Sequence, residues 1–132
     1  MYTHNDIITM LSSKTSTVLV DKILYFEHQD YLYVIKNVSI SDLSCMPRLY
    51  SANLFLVLES FYQTVALFRI LSGLPESDFQ IEMGDIAPKV SPGDTLGLEI
   101  RVVEKTNQKL KLEGRVIREG EILFKPTLVF NL

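Results

Sequence analysis

The sequence predicts an α+β fold, in which an antiparallel sheet packs against one long buried helix. Two observations carry this prediction. Residues 49–72 form the longest apolar segment of the chain, and neither Pro nor Gly interrupts it before Gly73 and Pro75. On both sides of this segment, short runs of β-branched and aromatic residues alternate with polar turns. The resulting order is a short helix, two strands, the long helix and about four strands, which is typical of a sheet covered by one helix.

The long helix is apolar on nearly every face, so it must be buried in a core or inserted in a membrane. Its apolar residues are Leu54, Phe55, Leu56, Val57, Leu58, Phe61, Val65, Ala66, Leu67 and Phe68. Polar residues interrupt the run of about 20 apolar residues that a bilayer crossing needs. These polar residues are Asn53, Glu59, Ser60, Gln63 and Thr64. We therefore expect a core helix without membrane insertion, in which the Glu59 carboxylate is costly to bury and requires an explanation.

The other elements follow from capping, turn and strand signals. Asn5 or Asp6 is predicted to cap a short helix that ends at Leu11. Residues 41–48 are expected to be irregular, and residues 87–94 to form a turn rich in Pro and Gly. The predicted strands cover residues 18–26, 31–40, 79–86, 95–104, 109–118 and 122–130.

Length and composition restrict the functions that are open to the chain. Its 132 residues fit one domain, residues 1–132, and a net charge of −3 without a basic block does not favour binding of nucleic acid. A single cysteine and the absence of a secretory signal predict a cytoplasmic protein. The two histidines, His4 and His28, stand far apart, and no cluster has metal-ligand spacing. We expect neither a metal nor another cofactor.

The edges of the predicted sheet indicate an oligomer. An open sheet leaves unpaired N–H and C=O groups on its two edge strands. Pairing two such sheets edge to edge is a common way to protect them. We therefore expect a dimer.

Five segments carry motifs in the same order as those of a known family. The segments are Val-Leu-Val-Asp-Lys at 18–22, Lys-Asn-Val-Ser-Ile at 36–40, Glu59 with Gln63, Ser-Pro-Gly-Asp-Thr-Leu at 91–96, and the closing residues 116–132. Together they resemble the hotdog-fold 3-hydroxyacyl-[acyl carrier protein] dehydratases of fatty-acid synthesis. The resemblance implies one hotdog domain, a sheet wrapped around the central helix, and a dimer. It also implies an acyl carrier protein or an acyl thioester as the partner.

The resemblance implies roles for individual residues and shows where this chain departs from the family. Glu59 stands where the family has its catalytic acid, with Gln63 one turn later. The family's catalytic histidine, which removes the C2 proton, is replaced by Cys45. Of the family's His-Phe-Pro-Gly motif, Pro47 is retained and Arg48 replaces the glycine. We expect Glu59 and Cys45 as catalytic candidates and Gln63, Pro47 and Arg48 as substrate-binding candidates.

Two of these candidates have a structural alternative. Cys45 could act as a thiolate if Arg48 and the following helix N-terminus lowered its pKa, or it could be a small buried apolar residue. Glu59 could be the surviving half of a catalytic pair or a carboxylate that is hydrogen-bonded for structure alone. The aromatic residues of the long helix are expected to belong to the core rather than to a substrate cage. They are Phe55, Phe61, Tyr62 and Phe68.

Three functions follow from these alternatives. The first is a divergent dehydratase-like subunit that binds acyl or polyketide thioesters and forms a homodimer, or a heterodimer with a hotdog protein that has the histidine. The second is an acyl thioesterase in which the carboxylate of the central helix activates water. The third is a hotdog protein that binds a ligand without catalysis.

Overall fold

A computed structural model of the chain describes residues 2–12, 17–44, 49–76, 79–86 and 89–132. These residues form one antiparallel sheet and three helices. The helices are α1 (His4–Leu11), α2 (Ile40–Ser44) and α3 (Leu49–Leu71). The strands are β1 (Lys22–Glu27), β2 (Tyr31–Asn37), β3 (Phe79–Glu82), β4 (Thr95–Lys105), β5 (Lys109–Arg118), β6 (Glu121–Phe124) and β7 (Thr127–Asn131). The strand order across the sheet is β1-β2-β4-β5-β7-β3, and β6 also pairs with β5.

The sheet covers α3 with one face, and that face is apolar. Alternate residues of the strands point inward, as the pleat of a strand requires, and pack on buried residues of the helix. Gly114 of β5 allows a close approach of the helix, because the ring of Phe61 from α3 occupies the space that a Cβ would fill. The buried residues at the centre of this contact include Leu32, Val34, Leu98, Ile100, Leu112, Val116, Leu56, Phe61, Leu67 and Phe68. The hotdog architecture expected from the sequence is therefore confirmed.

The helix α3 ends with a Schellman motif. Gly73 adopts a φ of 64°, its N–H donates to the carbonyl of Ile70, and the N–H of Leu74 donates to the carbonyl of Arg69. The segment Leu54–Leu71 has a mean hydropathy of 1.5 and meets the length and composition of a membrane span, but half of it is buried inside the protein. Its packing against the sheet is that of a core helix.

The two short helices correct the expectations for their regions. The cap of α1 is Thr3, not Asn5 or Asp6: the hydroxyl of Thr3 accepts from the N–H of Asp6, whose carboxylate accepts from the N–H of Thr3. This reciprocal capping box places the cap three residues before Asp6. Residues 40–44 form α2 rather than irregular chain, because Ser39 and Asp42 make the same reciprocal pair. Residues 45–48 lie outside the described residues.

Five of the six predicted strands have different bounds in the structure. The strand predicted at 79–86 ends at Glu82, and the one predicted at 95–104 extends by one residue to Lys105. The strand predicted at 18–26 begins only at Lys22, and the one predicted at 31–40 ends at Asn37. The segment predicted as one strand at 122–130 forms two strands, β6 and β7. Both pair with the same edge of β5, and the break between them includes Pro126. Proline has no N–H to donate to the ladder, and its carbonyl instead accepts from the N–H of Gly114 at 2.9 Å.

Candidate functional site

The middle of α3 carries a row of three side chains with different exposure. Phe55, Glu59 and Gln63 are four residues apart, so they lie on one side of the helix. Phe55 is 53% exposed, Glu59 is half-buried and Gln63 is 3% exposed. The row therefore leads from the protein surface to a buried amide, with the carboxylate between them.

Gln63 connects α3 to the segment that precedes β1. Its Oε1 accepts from the N–H of Leu19 at 2.7 Å, and its Nε2 donates to the carbonyl of Thr17 at 2.7 Å. The same Nε2 lies 3.5 Å from Oε1 of Glu59. The structure thus brings together the two helix residues that the sequence singled out, Glu59 and Gln63. It also shows that both polar atoms of Gln63 are engaged by backbone groups.

The remaining candidates of the preceding loop are not described. Cys45, Pro47 and Arg48 lie outside the described residues, so the roles expected for them stay predictions. What the structure does show is how the chain is held just before them. Lys36, which is 4% exposed, places its Nζ 3.0 Å from Oδ2 of Asp42 in α2 and 3.8 Å from Oδ2 of Asp21.

Burial raises the pKa of Asp42, but hydrogen bonds from the backbone of Ser39 and from Lys36 outweigh it, so the pKa lies below its usual value. Lys36 and the carboxylates of Asp42 and Asp21 thus join β2, α2 and the residue before β1. Sequence reasoning noted Lys36 only as part of a motif. The motif itself could have drawn attention to it, since a lysine on the inward face of a strand needs a buried partner.

Neither histidine lies beside Glu59 in a position to act as the missing base. His4 Nδ1 is 3.2 Å from the carbonyl oxygen of Asp21, at the first turn of α1. His28 is in the β1–β2 turn, and the next residue, Gln29, bonds to Ser72 at the end of α3 through its N–H. Ser72 lies about 20 Å from Glu59 along the helix axis, at about 1.5 Å per residue. The turn that carries His28 is therefore far from Glu59.

The aromatic residues of α3 separate into two groups. Phe61 and Phe68 are fully buried, and Phe61 packs edge-to-face on Phe124 with ring centroids 5.5 Å apart. These two are core residues, as expected. Phe55 is exposed and Tyr62 is half-buried, so the expectation of a core position is wrong for Phe55. The helices α1 and α2 also contact α3, but the described residues leave the side chain of Phe55 exposed.

A second charged cluster lies on the outer face of the sheet, where sequence reasoning had not placed one. Glu99 of β4 is 7% exposed, and it accepts from the Tyr31 hydroxyl at 2.6 Å and from Nε of Arg115 at 2.8 Å. Burial raises the pKa of Glu99, but these bonds and the Arg115 charge outweigh it and hold the pKa below its usual value. Burial and the bond to Glu99 raise the pKa of Tyr31 to about 12. This cluster stabilises the sheet and does not contact the α3 row.

The described part of the chain contains no group of three His, Cys, Asp or Glu side chains that could hold a metal ion. Of the three side chains in the α3 row, that of Glu59 is the ionisable one. A carboxyl group can donate a proton when neutral or accept one when ionised.

Comparison with known proteins finds dehydratases that are similar to this chain in sequence and solved structures that share its fold. No protein-family model matches the chain. It is 27% identical over 121 residues to the 3-hydroxyacyl-[acyl-carrier-protein] dehydratase FabZ of Legionella pneumophila, covering 83% of this chain and 80% of that protein. It is also 27% identical over 132 residues to FabZ of Aliivibrio fischeri, covering 89% of this chain and 88% of that one.

Solved structures with the same fold include the dehydratase heterocomplex ApeI:P of Xenorhabdus doucetiae, with a TM-score of 0.67 at 14% identity over 95% of this chain and 89% of that chain. The chain is a dehydratase-like hotdog protein. A hypothetical thioesterase of Streptococcus pneumoniae with coenzyme A has a TM-score of 0.63 at 17% identity, covering 97% and 95% of the two chains. The likeness to this thioesterase is in the fold alone, whereas the likeness of the hotdog protein to dehydratases extends to its sequence.

Proposed function

We propose that this hotdog protein is one half of a composite dehydratase. It contributes Glu59 as the acid, and a related hotdog subunit contributes the histidine that this chain lacks. The observation that supports the proposal is the position of Glu59. Glu59 is half-buried on α3 between the exposed Phe55 and the buried Gln63, while His4 and His28 are bound or placed elsewhere.

The reaction follows from the chemistry of a 3-hydroxyacyl thioester. The base of the partner subunit removes a proton from C2, and the electrons of that C–H bond form the double bond between C2 and C3. The C3–O bond breaks, and the leaving hydroxyl takes the proton of Glu59 and departs as water. The resemblance to the dehydratase family implies that the acid and the base come from opposite subunits, so a site assembled from two chains needs one acid and one base.

The proposal predicts that the chain alone is impaired. A positioned general base contributes about 10²–10⁴-fold to the rate. Among the described residues of this chain, no histidine lies at the α3 row. A homodimer would thus repeat the acid without a histidine, whereas a heterodimer with a histidine-bearing hotdog protein would restore one complete pair.

The nature of the partner and the substrate is inferred from the same relatives. The FabZ proteins are by name dehydratases of 3-hydroxyacyl groups on acyl carrier protein, which supports an acyl or polyketide thioester as the substrate here. The Xenorhabdus dehydratase is a heterocomplex, which supports a heteromeric state. We further propose that residues 1–132 act as one hotdog domain in the cytoplasm, paired through the edge of the sheet.

The experiment compares the chain alone, a histidine-bearing hotdog homologue alone, and the two proteins mixed. Dehydration of a 3-hydroxyacyl thioester is followed by the absorbance of the enoyl product. We expect the mixture to exceed the sum of the separate activities, and Glu59→Gln to abolish the excess. Glu104→Gln is the matched control, because Glu104 is exposed on β4 and belongs to neither charged cluster. A mixture that shows no excess, or an excess that survives Glu59→Gln, contradicts the proposal.

The same proteins test the two other functions. Hydrolysis of an acyl thioester by the chain alone, lost in Glu59→Gln, would favour a thioesterase. Binding of an acyl thioester without turnover in any mixture would favour a ligand-binding role. The Cys45→Ala variant, measured in the mixture, shows whether the thiol takes part.

A further inference from the structure

The side chain of Gln63 is placed to act on the chain rather than on a substrate. We propose that Gln63 is a positioning residue, which holds residues 17–20 against α3 as one wall of the site beside Glu59. This role rests on the proposed function, and it differs from the substrate contact expected from the sequence. The proposal starts from the two backbone bonds of 2.7 Å that the buried amide makes.

The partners of the amide fix its orientation. The N–H of Leu19 can only donate and the carbonyl of Thr17 can only accept, so one of the two possible orientations satisfies both. In that orientation Nε2 has a second hydrogen that is not used by Thr17. Oε1 of Glu59 lies 3.5 Å from this nitrogen. The amide therefore joins the segment, the helix and the carboxyl group at one point.

Within the described residues the ladder of the sheet begins after this segment, and the amide of Gln63 takes the place of a neighbouring strand for the N–H of Leu19. The ladder of β1 begins at Lys22, preceded by the bond from the N–H of Asp21 to the carbonyl of Ile35. Leu19 and Val20 are nevertheless buried. A buried backbone N–H without an acceptor costs free energy. In an extended chain the carbonyl of one residue and the N–H two residues later point to the same side, so one carboxamide can replace the peptide group of a neighbouring strand.

The consequence for catalysis is a difference between kcat and KM. A residue that touches the substrate equally in the ground state and the transition state changes KM when it is removed. A residue that positions the acid changes kcat, since a displacement of about 1 Å can cost roughly 100-fold. Gln63 should therefore affect kcat.

The test uses Gln63→Met, which keeps the length of the side chain and removes both hydrogen bonds, and Glu104→Gln as the control. Amide hydrogen exchange of Leu19 in the chain alone should become faster by about 10-fold or more in Gln63→Met, because the segment opens locally. In the mixture with the histidine-bearing subunit, kcat should fall by roughly 10–100-fold with KM within about twofold. The control should leave both values unchanged.

Two results would overturn the proposal: unchanged exchange at Leu19, or a rise of KM at constant kcat. If Gln63→Met does not fold, Gln63→Glu takes its place, because a carboxylate accepts from Leu19 but cannot donate to Thr17. If the wild-type mixture shows no dehydration, the composite function fails. The exchange of Leu19 then still decides whether Gln63 holds the segment.

Discussion

Replacement of Gly114 by alanine tests how closely the sheet holds the helix that carries Glu59. An added Cβ would lie 2.5 Å from Cε1 of Phe61, closer still to Cζ, and 3.3 Å from Cγ of Pro126. Favourable carbon contacts are about 3.5–4.0 Å, so Phe61 would have to move by about 1 Å. It is fully buried and packed edge-to-face on Phe124, so it cannot turn away.

The size of the effect follows from two opposing terms. Overpacking of a core costs about 1–3 kcal/mol. Alanine in a strand without a clash would gain about 0.5–1 kcal/mol over glycine. We expect Gly114→Ala to lower the free energy of unfolding by about 1–2 kcal/mol. For a chain of this length that corresponds to a fall in Tm of about 4–8 °C, measured by circular dichroism.

Gly97→Ala is the matched control on the neighbouring strand. Its Cβ would meet the hydroxyl end of the Tyr33 side chain on the outer face, even closer than the contact at Gly114. Tyr33 is half-buried and can rotate towards solvent, so Gly97→Ala should cost less than Gly114→Ala. Phe61→Leu should relieve the clash, so the double variant with Gly114→Ala should lose less than the sum of the single losses. A Tm of Gly114→Ala within about 1 °C of the wild type would refute the reasoning.

Three further predictions concern the charged clusters and the first helix. Glu99→Gln should lower the free energy of unfolding by about 2 kcal/mol at pH 7. Because the folded state depresses the pKa of Glu99, the stabilisation by its carboxylate is present above about pH 4.5 and is lost as the pH falls through the folded pKa. The urea unfolding midpoints of variant and wild type should therefore converge in acid. Lys36→Met should cost about 2 kcal/mol in the same assay, since Asp42 and Asp21 lose their buried cation, and an equal midpoint would contradict the ion cluster. Thr3→Ala should lower the free energy of unfolding by about 1 kcal/mol in the same assay, because the helix loses its cap. Thr3→Ser keeps a capping hydroxyl and should lose much less.

The elements with strong local signals were predictable from the sequence. The helix predicted at 49–72 is α3, Leu49–Leu71, because an apolar run without Pro or Gly favours a buried helix and Gly73 ends it. The strand predicted at 109–118 has the observed bounds of β5, since polar turns flank it on both sides. The α+β class followed from the order of elements, and the hotdog fold followed from the family resemblance that the motifs carry.

The elements that depend on a partner were predicted less well. Residues 18–20 have the composition of a strand, but within the described residues the ladder of the sheet begins after them, and the amide of Gln63 takes the place of a neighbouring strand. Residues 122–130 read as one strand, but Pro126 interrupts the ladder. The capping boxes at Thr3 and Ser39 were visible as local patterns and were missed.

The sequence by itself determined the α+β class, the central helix with Glu59 and Gln63 on one side, and the lack of a histidine at the family's catalytic position. These properties depend on residues close together in the chain, whose spacing is set by the period of a helix or strand. Only the tertiary structure decided that Gln63 binds the backbone of Thr17 and Leu19, that Lys36 is buried between two carboxylates, and that Phe55 stays exposed. Such contacts join residues far apart in the chain, and they arise only when the register of the sheet and the packing of the helix bring those residues together.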